Sequence, residues 1–257
     1  MFRKLCFGIV VAAVLVPVVW AQTADEIIAK NIQARGGSDK LKSVQSIKST
    51  ATIAMGPGME APGMLIQKRG NLARLEFTIQ GLTAVQAYDG KNAWQIMPFM
   101  GKKDPELMSA DEAKEVEEMA DLEGPLVDYK SKGHQVELLG KEKVEGTDAY
   151  KLKVSLKNGD VQIVYLDADS FLQIKEETKR TVRGSEQVVE SAIGDYKEVD
   201  GIVFPFAIES GVKGSPEKEK LTITKIELNV PADDSIFKMP AAAPAPPAPA
   251  KTEPPKN

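Results

Sequence analysis

Hydrophobic and polar residues alternate one by one along much of this chain. In segment 74–79, Leu75, Phe77 and Ile79 take every second position, and polar side chains fill the others. Segment 150–157 repeats the pattern, with apolar residues at its even positions and polar residues at its odd ones. Alternation with a period of two is typical of antiparallel strands that are buried on one face. The chain is therefore predicted to be mainly β.

Turn-forming residues separate these segments at short intervals. Glycine stands beside proline, asparagine, aspartate or serine at 56–58, 70–71, 89–90, 158–160, 200–201 and 214–216. Such spacing predicts a meander of about ten or eleven strands joined by hairpins. The apolar phase slips between Ile223 and Ile226, which predicts a β-bulge in the last strand.

Two segments depart from this alternation and predict helices. In residues 23–34, apolar side chains recur at helical spacing, and Gly36-Gly37 follows as a stop signal. Residues 104–132 are rich in Glu, Ala, Met, Leu and Lys. They predict a helix through Met119 and a short second helix after Gly124-Pro125. Since helices bury their apolar stripe against a sheet, we expect a curved sheet with an N-terminal helix and a helical lid over its concave face.

The N-terminus carries the features of a secretion signal. Arg3 and Lys4 precede an apolar run over residues 5–20, and a small residue, Ala21, follows. This combination predicts a signal peptide cleaved after Ala21, with a membrane anchor as the alternative. Roughly 20 apolar residues are needed to span a bilayer, and Pro17 interrupts this shorter run. The mature protein is therefore expected to be exported.

The C-terminus differs from the rest of the chain in composition. Residues 240–257 contain seven prolines and no apolar side chain larger than alanine. We expect a disordered Pro/Ala-rich tail, which leaves a single domain over residues 22–239. Without the signal, 31 basic residues face 37 acidic ones, and this negative balance disfavours nucleic acid as a partner. We expect a monomer.

This composition contains few of the residue types that catalysis commonly uses. The chain holds one cysteine, Cys6 within the predicted signal, and one histidine, His134. Cysteine nucleophiles, thiolate zinc sites and multi-histidine metal sites therefore lack their residues. No Gly-rich phosphate loop occurs, and the acidic residues of 112–118 are interpreted as a solvated helix face. We expect a protein that is not an enzyme and holds no cofactor or metal; a hydrolase using two carboxylates is the remaining enzymatic alternative.

Methionines are concentrated in one part of the chain. Seven of the eight beyond the predicted signal lie between Met55 and Met119, and Met59 and Met64 belong to one loop rich in glycine and proline. Methionine is flexible and polarizable, which suits surfaces that accept varied apolar ligands. Filling gaps between sheet and helices is the alternative role. Phe99 lies in another apolar loop just before the predicted lid, and together these loops favour a groove of lipid size.

Three short motifs carry a family resemblance. Lys68-Arg69-Gly70-Asn71-Leu72, Asp89-Gly90-Lys91-Asn92-Ala93-Trp94 and Pro98-Phe99 follow one another in a single block. The block resembles the LolA family of periplasmic lipoprotein carriers, in which a KRPNLF-like strand leads to a DGKxLW hairpin and a proline-phenylalanine exit. Residues 165–167 and 196–205 resemble the broader group of outer-membrane lipoprotein-sorting proteins. Residues 233–240 resemble the closing strand of the family.

The resemblance implies an incomplete antiparallel β-barrel whose concave apolar side is lidded by helices and binds acyl chains. It also implies a role for Arg69, which in the family hydrogen-bonds lid carbonyls and holds the empty cavity shut. Gly70 stands where the family has proline, and the predicted insertion is long and acidic, so a glycolipid or a free lipid is an alternative cargo. The expected lipid-binding residues are apolar: Met55, Met59, Met64, Leu75, Phe77, Ile79, Trp94, Ile96 and Phe99.

These features predict a periplasmic carrier that sequesters the acyl chains of lipoproteins or lipids for transfer towards the outer membrane. An inner-membrane donor and an outer-membrane acceptor protein are the partners that this role implies. The alternative is an exported scaffold module that binds a protein partner through its sheet or lid. Such a module has no lipid cavity, and its inner face would be filled solidly by side chains.

Overall fold

The computed structural model of the 257-residue chain describes residues 22–56, 58–182 and 185–241. The predicted signal, 1–21, lies outside the described residues, and so does the Pro/Ala-rich segment from 242 onward. The cleavage after Ala21 and the disorder of the tail therefore stay predictions.

Within the described residues, thirteen antiparallel strands form one curved sheet that is not closed into a barrel. The predicted fold class is confirmed, although the sequence predicted only about ten or eleven strands. The strands are β1 Ser46–Ala54, β2 Glu60–Lys68, β3 Leu72–Ile79, β4 Leu82–Asp89, β5 Ala93–Met97, β6 Lys102–Leu107, β7 Gln135–Val144, β8 Thr147–Ser155, β9 Val161–Asp167, β10 Gln173–Val182, β11 Ser185–Val199, β12 Ile202–Val212 and β13 Glu219–Leu228.

Strands that are consecutive in the chain are neighbours in the sheet everywhere except at one place. β1 to β6 form one meander, β7 to β13 form a second, and β1 pairs with β13 to join them. β6 and β7 follow each other in the chain but occupy opposite edges of the sheet. Residues 108–134, which connect them, must therefore pass from one edge of the open sheet to the other.

The junction of the two meanders contains the predicted bulge. Thr50 lies opposite Lys225, whereas Ala51 lies opposite Ile223, so Thr224 is the extra residue on β13. The bulge brings Ile223 and Ile226 into the same apolar cluster. The prediction made from the slipped apolar phase is confirmed.

Three α-helices occur in the described part of the chain: α1 Ala24–Ala34, α2 Ser38–Ser43 and α3 Ala110–Met119. α1 and α3 each begin with a capping box, formed by Thr23 with Glu26 and by Ser109 with Glu112. None of these helices has the length and apolar character that a membrane crossing requires. The predicted N-terminal helix is confirmed almost to the residue.

The prediction of a helix beginning at residue 104 is wrong. Trp94 pairs with Leu107 and Met97 pairs with Lys102, so these residues form the edge strand β6. Pro105 fits this position because an edge strand leaves one row of N–H groups unpaired. Hydrogen bonding to β5 therefore outweighs the helical propensity of this segment, and the helix starts only after its cap at Ser109.

The short second helix predicted after Gly124-Pro125 is also wrong. Residues 121–133 form a series of turns. Leu126 and Val127 are both buried, and they enter two different apolar clusters. Tertiary burial decides the conformation of this segment, as it commonly does where local propensity is weak.

Helices α1 and α2 cover part of one face of the sheet, which we call the inner face. Ile27 of α1 packs with Leu152 and Val164 on the second meander. Leu41 of α2 packs with Ile226 near the junction of the meanders. The inner face is thus filled at one end by helices, and its remaining part depends on the connection that crosses it.

The outer face of the first meander is covered by the C-terminal segment 231–239, which we call the outer strap. Trp94 Nε1 donates to the carbonyl of Phe237 (2.7 Å), and Arg74 Nη1 donates to the carbonyl of Ile236 (2.8 Å). The expectation of a closing strand here is wrong, since Asp234–Phe237 form a 3₁₀ turn. Its carbonyls face side chains of the sheet, and Phe237 is fully buried.

Gly36 allows the α1–α2 corner to approach the sheet. Its φ is +115°, and a Cβ on it would lie 2.4 Å from the carbonyl oxygen of Gly201. Gly81 also has a positive φ, of +79°, but a Cβ there would meet no atom within 4 Å. Substituting each of the two glycines therefore distinguishes the energetic cost of an unfavourable φ from the cost of a steric clash.

We predict that Gly36→Ala lowers the free energy of unfolding by about 3 kcal/mol, because it adds overpacking to an unfavourable φ. The matched control Gly81→Ala should cost only about 1 kcal/mol, from conformation alone. Urea denaturation followed by circular dichroism measures both values. Equal losses in the two variants would contradict the proposed close contact.

Candidate functional site

Strand pairing assigns the predicted binding residues to two different faces. Leu75 pairs with Gln86, and Gln86 pairs with Gln95, so these three share a face. Trp94 pairs with Ala87, one residue further along β4, and so lies on the opposite face. The outer strap covers the face that carries Trp94, which makes the face of Leu75 the inner one.

The nine expected binding residues are therefore not all brought together. Leu75, Phe77 and Ile79 lie on the inner face, and the Phe99 ring contacts the Phe77 ring with centroids 5.8 Å apart. Met59 is exposed at the turn between β1 and β2. Met64 lies on β2, not in the loop expected from the sequence, and it shares the outer face with Ile96 and Trp94. Met55 directly follows the last residue of β1.

Trp94 has a structural role that the sequence pattern did not indicate. It is almost fully buried, its indole donates to the outer strap, and Arg74 lies over its ring. Val85 and Ala87 complete this cluster on the outer face. Trp94 therefore anchors the C-terminal segment to the sheet.

An apolar strip runs along the middle of the inner face. Pairing of β2 with β3 sets Leu65 beside Leu75, and pairing across β1, β13, β12 and β11 aligns Ile53, Leu221, Ile208 and Ile193. All of these side chains are half-buried, unlike the fully buried residues beneath α1. The apolar strip consists of Ile53, Leu65, Leu75, Phe77, Ile193, Ile208 and Leu221.

Helix α3 lies across the inner face from one meander to the other. It packs against β3, β4 and β5, and Gln67 Nε2 donates to the carbonyl of Met119 at its end. On the far side, Lys114 Nζ lies 2.7 Å from Asp160, in the turn between β8 and β9. Glu118 lies 2.7 Å from Arg180 on β10. The helix is thus a bridge with packing at one side and ion pairs at the other.

The segment after α3 is held by three cationic side chains. Arg35 donates to the Glu123 carbonyl (2.8 Å), and Arg69 contacts the Glu123 carboxylate (2.7 Å). Lys132 Nζ contacts Asp121 at 2.6 Å and also donates to a backbone carbonyl of the same turn. We call residues 121–124 the clasp. Because its carboxylates and carbonyls face these cations, the C-terminal end of the lid is fixed to both α1 and the sheet.

Arg69 connects the clasp to helix α2. Its Nη2 donates to the carbonyls of Leu41 (3.2 Å) and Lys42 (2.7 Å), in the last turn of α2. It therefore bonds carbonyls of a helix that covers the inner face, together with the carboxylate of Glu123. Gly70, next to it, has a φ of +96°, a conformation that proline cannot adopt.

Two cavities adjoin α3, and most of the residues that line them are polar or charged. The first, about 710 Å³, lies between the start of α3 and strands that carry Gln86, Gln95, Ser191 and Ser210. The second, about 750 Å³, lies towards the end of α3 and is lined by Gln162 among others. They share three charged residues, Glu115, Glu176 and Arg180. Both volumes fall in the usual range for small-molecule sites.

The interpretation of residues 112–118 as a solvated helix face is right for Glu112, Glu115 and Glu117, which are exposed, but wrong for Glu118. Its side chain is 16% exposed and accepts from Arg180 and from Gln162. Burial raises the pKa of Glu118 above its ordinary value, and the Arg180 guanidinium opposes this rise. The sequence pattern missed these three residues, because they lie on separate elements and share no spacing motif.

Metal binding has no support in this arrangement. Within the described ranges, no group of three or more histidine, cysteine, aspartate or glutamate side chains is placed to hold a metal ion. The lone histidine, His134, accepts a hydrogen bond from the Lys157 amide through Nδ1 (3.1 Å). It stabilises the connection between two turns at the rim of the second cavity.

Comparison with known proteins identifies the class of fold. The sequence matches no family model, and no curated protein sequence matches it. A LolA superfamily protein from Nitrosomonas europaea has a similar structure, with a TM-score of 0.58 and 16% identity over 85% of this chain and 98% of that one. A putative outer membrane lipoprotein-sorting protein domain from Vibrio parahaemolyticus gives 0.53 and 12%, covering 83% and 95% of the two chains.

A third similar structure is a DUF1329 family protein from Desulfovibrio piger, with a TM-score of 0.56 and 12% identity over 85% of this chain and 98% of that one. At these identities the likeness establishes the fold alone. The chain has the incomplete-barrel fold of LolA superfamily structures. The resemblance based on residues 68–99 is confirmed at this level.

We predict that Arg180→Met loosens α3, because it leaves the buried Glu118 carboxylate without its counter-ion. Amide hydrogen exchange in residues 110–119 should become about tenfold faster or more, as expected for the loss of a charged hydrogen bond. Lys179→Met is the matched control, since the neighbouring ion pair of Lys179 with Glu186 is exposed. Unchanged protection of α3 in Arg180→Met would contradict the bridging role.

Proposed function

We propose that this protein is a carrier that sequesters acyl chains of lipoproteins or lipids on its inner face, without chemical turnover. The observation that carries the proposal is the apolar strip: half-buried aliphatic side chains line the open part of the inner face, beside a helix that bridges it. Soluble domains ordinarily bury such a surface or use it for binding. An acyl chain is an apolar ligand of the kind that such a surface can bind.

The fold supports the same proposal. One of the similar structures is described as an outer membrane lipoprotein-sorting domain, and the predicted signal of this chain is consistent with a periplasmic location. Transfer towards the outer membrane then requires an inner-membrane donor and an outer-membrane acceptor. The alternative of a protein-binding scaffold requires a solidly filled inner face, which two cavities of about 710 and 750 Å³ disfavour.

Reversible release is the main energetic requirement of a carrier. Each buried CH₂ group contributes roughly 0.8 kcal/mol, so a fully enclosed ~14-carbon chain would bind by about 10 kcal/mol. A lid whose contacts are displaced by cargo offsets part of this energy. Here those contacts are ion pairs of α3 and the clasp, which water solvates once they separate.

We predict that Leu65→Gln weakens binding of a fluorescent fatty acid about tenfold or more, because it replaces an apolar contact of the strip with a polar amide. Ile66→Gln is the matched control: Ile66 is adjacent on β2 and equally half-buried, but it pairs with Arg74 on the outer face. Fluorescence titration measures both variants. Equal affinities, or no binding by the unmodified protein, would overturn the proposal.

We further propose that Arg69 keeps the lid closed when no cargo is bound. Arg69→Leu should speed amide exchange in residues 119–124 about tenfold or more, since it removes a charged contact to Glu123 and two bonds to α2. Lys68→Leu is the control, because Lys68 makes similar contacts with Ala232 and Asp234 of the outer strap. Exchange that is the same in both variants would argue against a latch.

A further inference from the structure

Two buried acceptor oxygens without a donor belong to side chains that line the second cavity. Gln162 is 4% exposed; its Nε2 donates to Glu118 Oε2 (3.1 Å), while its Oε1 has no hydrogen-bond partner among the described residues. Glu118 Oε1 is likewise buried, with no donor from the described part of the chain. Both side chains line the second cavity. Two neighbouring side chains of the cavity wall thus each carry an oxygen without a donor among the described residues.

Leaving such acceptors unpaired is costly. A buried polar group that lacks its partner loses the energy of solvation without compensation, and native proteins leave few of them. The adjacent cavity, of about 750 Å³, is far larger than the space of about 30 Å³ that one water molecule occupies in the liquid. The site has room for a ligand group that carries several donors.

The charges around these oxygens select the kind of donor. Acidic side chains outnumber basic ones in the lining of the second cavity by five to three and so disfavour an anionic group such as phosphate; the acidic residues are Glu115, Glu117, Glu118, Asp121 and Glu176, and the basic ones are Lys132, Lys157 and Arg180. Arg180, also in the lining, offers a guanidinium donor beside the two acceptors. Side chains that accept and donate next to one another suit neutral hydroxyl groups, because each hydroxyl both donates and accepts.

The polar site is continuous with the apolar strip. The first cavity shares Glu176 and Arg180 with the second and extends to Ser191 and Ser210. Ser191 pairs with Ser210, and two residues further along the same strands Ile193 pairs with Ile208 of the apolar strip. Residues two apart on a strand share a face. A head group at Gln162 can thus continue into an acyl chain on the strip.

We propose that Glu118, Gln162 and Arg180 form a subsite for a hydroxyl-rich head group, so that the cargo is a sugar-bearing amphiphile. This inference rests on the proposed function for the acyl part of the ligand. It adds a polar recognition element, which distinguishes a glycolipid from a lipid whose head group lacks hydroxyl donors. A free sugar shares the same hydroxyl chemistry, and the test separates the two sources.

The test compares two probes with the same 12-carbon chain by isothermal titration calorimetry below their micelle concentrations. Dodecyl maltoside carries many hydroxyl groups, whereas dodecyl octaethylene glycol ether offers ether acceptors and a single hydroxyl. We expect the unmodified protein to bind the maltoside about tenfold more tightly or better, since hydrogen bonds to a charged partner add this much. Free maltose is the third probe.

Gln162→Leu should abolish this preference, because it removes one acceptor, while affinity for the ether stays unchanged. Gln67→Leu is the matched control: it removes a similar amide bond to α3, at Met119, without touching the two acceptors. It should keep the preference. Circular dichroism verifies that both variants fold. If Gln162→Leu does not fold, the test instead compares the preference for maltoside over ether in the unmodified protein with that in Glu118→Gln.

The outcomes separate this inference from the proposed function. Equal binding of both detergents overturns the sugar subsite and leaves the acyl carrier standing. Binding of maltose with no gain from the dodecyl chain supports the subsite but overturns the carrier. Binding of none of the three probes overturns both.

Discussion

The pairing of β1 with β13 is the interaction on which the rest of the molecule depends. It joins two meanders in the middle of the sheet and thereby sends β6 and β7 to opposite edges. The chain between them crosses the open side and places α3 over the inner face. Because β6 and β7 do not pair with each other, the barrel stays incomplete.

The crossing connection is held by ion pairs in addition to the burial of Val116, Leu126 and Val127. α3 is tied to the second meander through Lys114 with Asp160 and through Glu118 with Arg180, and the clasp is tied by Arg69 and its neighbouring cations. In a partly buried ion pair, the attraction between the two charges exceeds their desolvation cost by only a little. The ion pairs therefore specify the position of the lid while adding less to the cost of displacing it than the apolar contacts of the same connection do.

The two faces of the first meander have separate roles because they are covered to different extents. The outer strap occupies the outer face through Trp94 and Arg74, so the stability of this meander does not require a filled inner face. The inner face can therefore keep the apolar strip half-buried. A sheet with one covered side and one available side combines a stable scaffold with a binding surface.

The sequence alone determined much of the strand pattern, because one-sided burial leaves a period of two that is visible in 72–79 and 147–155. It also determined α1, whose cap and terminal glycines are local signals, and the bulge at Thr224. Pro105 marked an edge strand rather than a helix, but only pairing with β5 showed this.

Only the tertiary structure decided which face of each strand points inward. Alternation cannot distinguish two covered faces, so Trp94 and Leu75 looked alike in the sequence although they lie on opposite sides. The polar site was equally hidden, since Glu118 meets Gln162 and Arg180 from 44 and 62 residues away. Local patterns record burial and turns, whereas contacts between distant segments depend on how the whole sheet is paired.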